Sequence, residues 1–168
     1  NTSYKQEINT LLISSYITSK NYKEALVLLE KSKSPENKLA YQKVTFYRGL
    51  ELYTDGDFKG AYSLFKKSIA ENKDAKFSAR ATFWKGETEY NLDQFEEAKL
   101  SFLQYLRSTE VSNTPEFKNA NYNLAYAYFK LKEYDNAIKY FGDFTTSIKE
   151  DKVRLTDAYL RLGDCNFI

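Results

Sequence analysis

Apolar residues recur along this chain at helical spacing. Tyr4, Ile8, Leu11, Leu12 and Tyr16 follow one another at steps dominated by three and four, which sets them along one side of a helix. The periodicity is itself organised in a longer repeat. An aromatic–x–x–Ala signal occurs four times: Tyr22 before Ala25, Phe58 before Ala61, Phe95 before Ala98 and Tyr134 before Ala137, with the alanines 36, 37 and 39 residues apart. Four residues after each Ala comes a large apolar residue, namely Leu29, Phe65, Phe102 and Phe141. Twelve residues before each Ala stands a small residue in three copies (Gly49, Gly86 and Ala125) and Ile13 in the first. Gly163, 38 residues beyond Ala125, opens a fifth copy.

Each copy reads as helix, short turn, helix. Second helices are predicted from Tyr22 to about Lys31, Phe58 to about Glu71, Phe95 to about Arg107 and Tyr134 to about Lys149. Asn21, Asp57, Asp93 and Glu133 fall at the turns, and Gly56 suits a helix stop because glycine accepts the left-handed conformation readily. Pro35 and Pro115 fall between copies, where a missing backbone donor does least harm. The pattern amounts to about nine helices and no strand. The small residues have a packing reason. Antiparallel helices sit about 8–10 Å apart, set by the side chains at the crossing. Gly86 opposite Ala98 would bring the backbones close, with Phe102 one turn later filling the space toward the next copy.

Composition then removes classes of chemistry. The 168 residues are 42% hydrophobic and 29% charged, which fits a folded chain rather than a disordered one. There is no His, which excludes Ser-His-Asp and Cys-His nucleophilic sites and His-containing zinc sites. The single Cys, Cys165, allows neither an internal disulfide nor a thiolate metal cluster and reads as a small packing residue. The 23 carboxylates fall nearly all on helix faces predicted to be exposed, which favours a solvated surface over an acid/base pair. No enzyme, cofactor or metal is expected. The net charge is +2 with interspersed signs, so no basic block points to nucleic acid. No apolar run approaches the roughly 20 residues of a membrane span. The chain starts at Asn1, without Met or a signal-peptide pattern, and reads as a piece of something longer.

The order small residue, Tyr, aromatic, Ala, aromatic resembles the tetratricopeptide repeat (TPR), a helix–turn–helix unit of about 34 residues. The clearest copies are Ala81-Thr-Phe-Trp-Lys-Gly-Glu-Thr-Glu-Tyr90 with Phe95-Glu-Glu-Ala98, and Tyr122-Asn-Leu-Ala-Tyr-Ala-Tyr-Phe129 with Tyr134-Asp-Asn-Ala137. The flavour is similar to TPR modules of bacterial envelope proteins of the TolA-binding and outer-membrane-assembly lipoprotein types, which implies a periplasmic or cell-envelope location. The resemblance covers essentially the whole chain. It implies an all-α, right-handed α-solenoid in a single domain, with repeats over about 4–36, 40–73, 77–112 and 116–150 and a partial one over 154–168. The chain departs from the family in its longer units, with extra residues at Glu110 to Pro115. Arg48 and Lys85 stand where Leu is usual before the small Gly. Thr45 and Thr82 replace bulky residues, with the aromatics beside them at Phe46, Tyr47, Phe83 and Trp84.

In that family the first helices line a concave surface where ligands lie. Carried over residue by residue, the partner-binding face comprises Phe46, Leu50 and Tyr53 in the second unit and Arg80, Phe83, Glu87 and Tyr90 in the third. In the fourth it comprises Asn119, Tyr122, Tyr126, Phe129 and Lys130. The i, i+4, i+7 spacing puts each set on one side of its helix independently of the resemblance. Such a stripe reads either as a groove for a peptide or as core. Arg80 and Glu87 read either as specifiers of a charged ligand group or as a surface ion pair. The Arg/Lys/Asn carboxylate clamp of some TPR modules is not reproduced, since Phe46, Leu50, Trp84, Asn119 and Asn123 occupy the matching places. The resemblance therefore implies a non-catalytic scaffold for a protein or peptide partner. The alternatives are an architectural spacer in a larger envelope protein and, more distantly, an RNA-binding helical repeat. The last segment, with Val153, Leu155, Tyr159, Leu160, Leu162, Cys165, Phe167 and Ile168, lacks the polar outer face of a terminal repeat. A further helix or another chain is expected to cover it, self-association included.

Overall fold

The computed structural model describes residues 2–32 and 34–167, with the side chains of residues 2, 3 and 5 left aside. Nine α-helices are found among the described residues and no strand. They are α1 (Thr2–Thr18), α2 (Tyr22–Ser32), α3 (Lys38–Thr54), α4 (Phe58–Glu71), α5 (Ala75–Asn91), α6 (Phe95–Leu106), α7 (Phe117–Lys130), α8 (Tyr134–Ser147) and α9 (Lys152–Phe167). The second helices α2, α4, α6 and α8 begin at the four predicted aromatics. Short 3-10 turns at Pro35–Asn37 and Val111–Asn113 lie in two of the connectors between copies. The helices form two compact units, Asn1–Ala81 and Thr82–Ile168, with the boundary inside α5.

The four turns within copies are built alike. Lys20, Gly56, Asp93 and Lys132 adopt left-handed φ values of 60°, 81°, 59° and 61°. The next backbone N–H then reaches back five residues: Asn21 donates to the Tyr16 carbonyl (2.8 Å), Asp57 to Leu52 (2.8 Å), Gln94 to Glu89 (2.9 Å) and Glu133 to Tyr128 (3.0 Å). This closure satisfies carbonyls that the end of a helix leaves open. Asp93 is thus the left-handed residue of its turn, and Gln94 takes the place before the helix held elsewhere by Asn21, Asp57 and Glu133. Gly56 alone of the four avoids the roughly 1–2 kcal/mol that this conformation costs an L side chain.

The small positions work as notches for rings. A Cβ built on Gly49 would lie 2.7 Å from Cε1 of Phe65, and one on Gly86 would lie 2.9 Å from Cε1 of Phe102. The glycine therefore faces the aromatic of its own copy's second helix. The expectation that Gly86 meets Ala98 while Phe102 points toward the next copy is corrected to this extent. Both rings are fully buried, as are Ala61 and Ala98 one turn earlier. The first copy inverts the sizes: Ile13 replaces the glycine and Leu29 the ring, and both lie in one buried cluster with Ala25 and Val44.

The interior holds polar groups, among them Gln42, Glu89 and Glu116, whose side chains are paired. Gln42, fully buried on α3, donates through Nε2 to the Asp74 carbonyl (3.1 Å) and Ser78 Oγ (3.0 Å). Its Oε1 accepts from the backbone N–H groups of Lys73 (3.0 Å) and Asp74 (2.8 Å), so one amide side chain ties down the α4–α5 connector. Two carboxylates expected at the surface lie inside. Glu89 accepts from Lys85 Nζ (2.5 Å) and Ser101 Oγ (2.5 Å), and Glu116 accepts from Trp84 Nε1 (2.9 Å). A buried carboxylate needs such partners because desolvation outweighs any lone attraction. Lys85, in the place where the resembled family keeps Leu, supplies the charge that Glu89 requires.

Two outcomes are expected. Gly49→Ile alone should destabilise by about 1–3 kcal/mol through overpacking against Phe65. Combined with Phe65→Leu, which recreates the Ile13/Leu29 pairing, it should lose less than the sum of the single changes in urea unfolding; additive losses would show that the two sites do not meet. Gln42→Leu should destabilise by about 1–3 kcal/mol by orphaning the Lys73 and Asp74 amides, and unchanged urea unfolding would show that those amides find another acceptor.

Candidate functional site

The i, i+4, i+7 stripe on the first helices divides between core and surface. In unit 1, Phe46 is 0% exposed, packed against Phe65 and Phe77 at ring separations of 6.1 and 5.4 Å. It is a core residue and cannot meet a partner directly. Leu50 is half-buried in a wide depression of about 850 Å³ that it shares with Tyr22, Tyr47 and Glu51. Tyr53 packs edge-on against Phe58, the aromatic that opens α4 (5.3 Å). Arg80, also half-buried, lies over the rings of Phe46 (4.6 Å) and Phe77 (5.9 Å), a cation–π cover on the aromatic core.

The same division recurs in unit 2. Phe83 is 4% exposed, held by Phe102 (5.5 Å) and Tyr105 (5.2 Å), and is core for the same reason as Phe46. Glu87 and Tyr90 remain half-buried, and Tyr90 packs edge-on against Phe95 (5.2 Å) as Tyr53 does on Phe58. On α7 the place matching Phe46 and Phe83 holds Tyr122, half-buried and packed on Phe141 (6.0 Å) and Phe144 (5.1 Å). Tyr126 leans on Phe141 (5.2 Å), and Phe129 meets Tyr134 (5.9 Å). Asn119 is half-buried at the start of the stripe. Lys130 is exposed, its Nζ 5.6 Å from the centre of the Phe95 ring.

Glu87, Tyr90, Asn91, Tyr122, Asn123, Tyr126 and Arg154 line a cleft of about 310 Å³ within unit 2. Four of the seven were expected from sequence. Asn123 Nδ2 donates to Glu87 Oε1, and Asn91 Nδ2 donates to the Glu87 carbonyl (2.8 Å). Asp157 on α9 accepts from the Tyr122 hydroxyl (2.8 Å) and from the Tyr126 hydroxyl, and fixes both rings. The Arg154 guanidinium stands 5.9 Å from the centre of the Tyr122 ring, and Arg161 Nε lies 3.7 Å from Asp157 Oδ1. Asp157 and Arg154 were missed because the apolar residues of α9 drew the reading to its outward face. The repeat register carried the signal: Asp157 stands 77 residues after Arg80 and 38 after Asn119, both on the predicted face.

The cleft is aromatic, lined by amides, and carries both signs of charge. Burial, followed by the nearby Tyr126 hydroxyl and the Glu87, Asp93 and Asp157 carboxylates, pushes the Tyr90 hydroxyl up to about 12. Burial and the bond to Asp157 push Tyr122 up as well. These phenols therefore stay protonated hydrogen-bond donors through the neutral range. Cys165 is buried, and burial raises its thiol above the ordinary value, as suits a packing residue. Among the described residues no group of three or more His, Cys, Asp or Glu is placed to hold a metal ion. No helix among them is long and apolar enough to cross a membrane.

The sequence model of the tetratricopeptide repeat family matches residues 88–143, which span the turn after α5, the whole of α6 and α7, and most of α8. No curated protein matches the chain. Similar solved structures include the kinesin-light-chain-like, nearly identical TPR-like repeats of Podospora anserina (13% identity, 97% of this chain and 86% of that one, TM-score 0.57). PilF of Pseudomonas aeruginosa is similar over 98% of this chain and 90% of its own at 14% identity (TM-score 0.55). MamA RS-1, as an ArsTM double mutant, is similar over 96% and 94% at 16% identity (TM-score 0.55). At these identities the likeness is one of fold. Residues 88–143 match the sequence model of the tetratricopeptide repeat, and the chain as a whole is similar in fold to solved tetratricopeptide-repeat structures.

The raised phenol values give a pH dependence. Below about pH 10 both folded and unfolded chains keep the Tyr90 proton, and its stabilising contribution is whole. Between about pH 10 and 12 the unfolded chain loses that proton first, so stability should fall as pH rises. Urea unfolding on either side of this window should show the decline, and Tyr90→Phe should make it shallower. An unchanged slope in Tyr90→Phe would show that the hydroxyl is not held in the folded chain.

Proposed function

We propose that this chain is a non-catalytic scaffold that binds an extended peptide or protein segment across its first helices, the face lining the concave surface in the family it resembles. The observation that carries this reading is the cleft within unit 2. Three half-buried tyrosines, the amides of Asn91 and Asn123, and Glu87 and Arg154 converge there on about 310 Å³ of open space. Rings offer contact area at low entropy cost, and side-chain amides can pair with the backbone N–H and C=O of an extended segment. The contact set consists of Glu87, Tyr90, Tyr122, Tyr126, Phe129, Lys130 and Asn119 in unit 2, and Leu50, Tyr53 and Arg80 in unit 1. Phe46 and Phe83 support this set from beneath.

The test is selection of binding peptides from a random displayed library against the intact chain, followed by titration. Tyr90→Ala with Tyr126→Ala should weaken the selected peptides by about tenfold or more, the weight of an interface hot spot, with far-UV circular dichroism unchanged. Asn91→Arg, at an exposed position on the cleft rim, should weaken them without touching packed atoms. Peptides that bind both variants as tightly as the unsubstituted chain would overturn the assignment. So would a double variant that loses its helical signal, since the tyrosines would then be structural.

A further inference from the structure

The cleft in unit 2 has a sign. Its lining holds one carboxylate, Glu87, and one guanidinium, Arg154. Arg154 is exposed, and its charge is answered by Asp151, whose Oδ2 lies 2.6 Å from Nη1. A second carboxylate, Asp157, stands behind the rings and accepts from the hydroxyls of Tyr122 and Tyr126. Its basic neighbour Arg161, 3.7 Å away, pairs more closely with Asp164 (2.5 Å). After burial, the groups that keep the Tyr90 hydroxyl protonated are Tyr126, Glu87, Asp93 and Asp157, every one a phenol or a carboxylate. Residues 82–168 carry fourteen Asp and Glu against eleven Lys and Arg, so the surroundings do not reverse that sign. The repeat register shows what aromatic rings on these helices take. Six residues before the notch stand Lys43, Arg80, Asn119 and Asp157. In unit 1 the two cations cover phenylalanine rings, Lys43 on Phe77 (5.5 Å) and Arg80 on Phe46 (4.6 Å). In unit 2 the same position turns neutral and then acidic, so the rings remain and the chain's own cation is replaced by a carboxylate.

We infer that the unit 2 cleft takes a lysine or arginine side chain of the bound segment, its charged head against the rings of Tyr90, Tyr122 and Tyr126 and paired with Glu87. This rests on the reading of the cleft as part of the peptide-binding face, and adds the charge of what enters it. A cation within about 6 Å of a tyrosine ring centre is held by the negative face of the ring, and more firmly where water is displaced. All three rings are half-buried. The protons of the Tyr122 and Tyr126 hydroxyls are given to Asp157, so they are not offered to an incoming anion. An acidic side chain would meet Glu87 with Asp157 behind it, like charge on like. A neutral one would take water from Glu87 and return no charge. The volume of about 310 Å³ lies at the small end of the roughly 300–1,000 Å³ of ligand sites, which suits one long side chain.

The probes are four acetylated, amidated pentapeptides, Gly-Ser-X-Ser-Gly, with lysine, arginine, norleucine or glutamate at X. Each is titrated into the intact chain at low salt while the ring signals of Tyr90, Tyr122 and Tyr126 are followed by NMR. Saturable movement is expected with lysine and arginine, about tenfold weaker binding with norleucine, and none with glutamate. Glu87→Gln should bring the basic peptides down to the level of norleucine. Arg154→Gln, at an exposed position, should tighten the basic peptides by about threefold, a change of opposite sign that does not depend on how Glu87→Gln folds. Norleucine or glutamate peptides that bind as tightly as the basic ones would overturn the charge assignment and leave the scaffold reading standing. Basic peptides indifferent to both variants would do the same, as would four silent pentapeptides beside library-selected peptides that still depend on Tyr90 and Tyr126. Basic pentapeptides that bind when no library peptide can be selected would overturn the scaffold reading alone, and silence in both experiments would overturn both.

Discussion

The structure depends on one contact, repeated: a phenylalanine ring on a second helix lying where the first helix of the same copy has no side chain. Gly49 with Phe65 and Gly86 with Phe102 fix how closely each pair of helices approaches. The contact is complementary in volume rather than specific in residue, as the first copy shows by pairing Ile13 with Leu29 in one buried cluster. Close approach has a consequence for polarity. Helices held this near bury positions that a looser pair would leave wet, so Glu89 lies inside between α5 and α6 and requires Lys85 and Ser101 as partners.

The candidate site follows from what the ring contacts leave uncovered. On α3 and α5 the stripe position nearest the neighbouring rings sinks into the core, as Phe46 and Phe83, while its counterpart Tyr122 on α7 stays half-buried. The positions one and two turns further on stay at the surface. They pack on the aromatic that opens the second helix, as Tyr53 does on Phe58 and Tyr90 on Phe95. In unit 2 the surface part gains depth because α9 supplies Asp157, which holds the hydroxyls of Tyr122 and Tyr126. The cleft is thus a product of aromatic packing beneath and one carboxylate beside it.

The repeat, the helix starts and the all-α class were legible because they rest on local signals: an aromatic, an alanine four residues before a large apolar side chain, and a small residue twelve before. What escaped reading is non-local. Leu50 and Phe46 lie on the same helix face and differ in height, and nothing in the sequence of α3 says that Phe77 arrives at one level and not the other. Nothing in the local pattern marks Gln42, whose four side-chain hydrogen bonds go to Lys73, Asp74 and Ser78, more than thirty residues away. Arg154 and Asp157 could have been found by extending the register to the fifth copy. The apolar composition of that helix drew the reading toward its outward face instead.

The turns within copies are closed by main-chain bonds, and lysine, glycine and aspartate all occupy the left-handed position. Their length is therefore invariant, while the alanine spacing varies from 36 to 39 residues. That variation falls in the helix ends and in the connectors, which run from three residues between α4 and α5 to ten between α6 and α7. Side chains secure the connectors one by one: Gln42 for one, and Tyr105 with Thr114 together with Trp84 and Glu116 for another. The turn is the one fixed joint of each copy, and the helix ends and connectors are cut to fit around it.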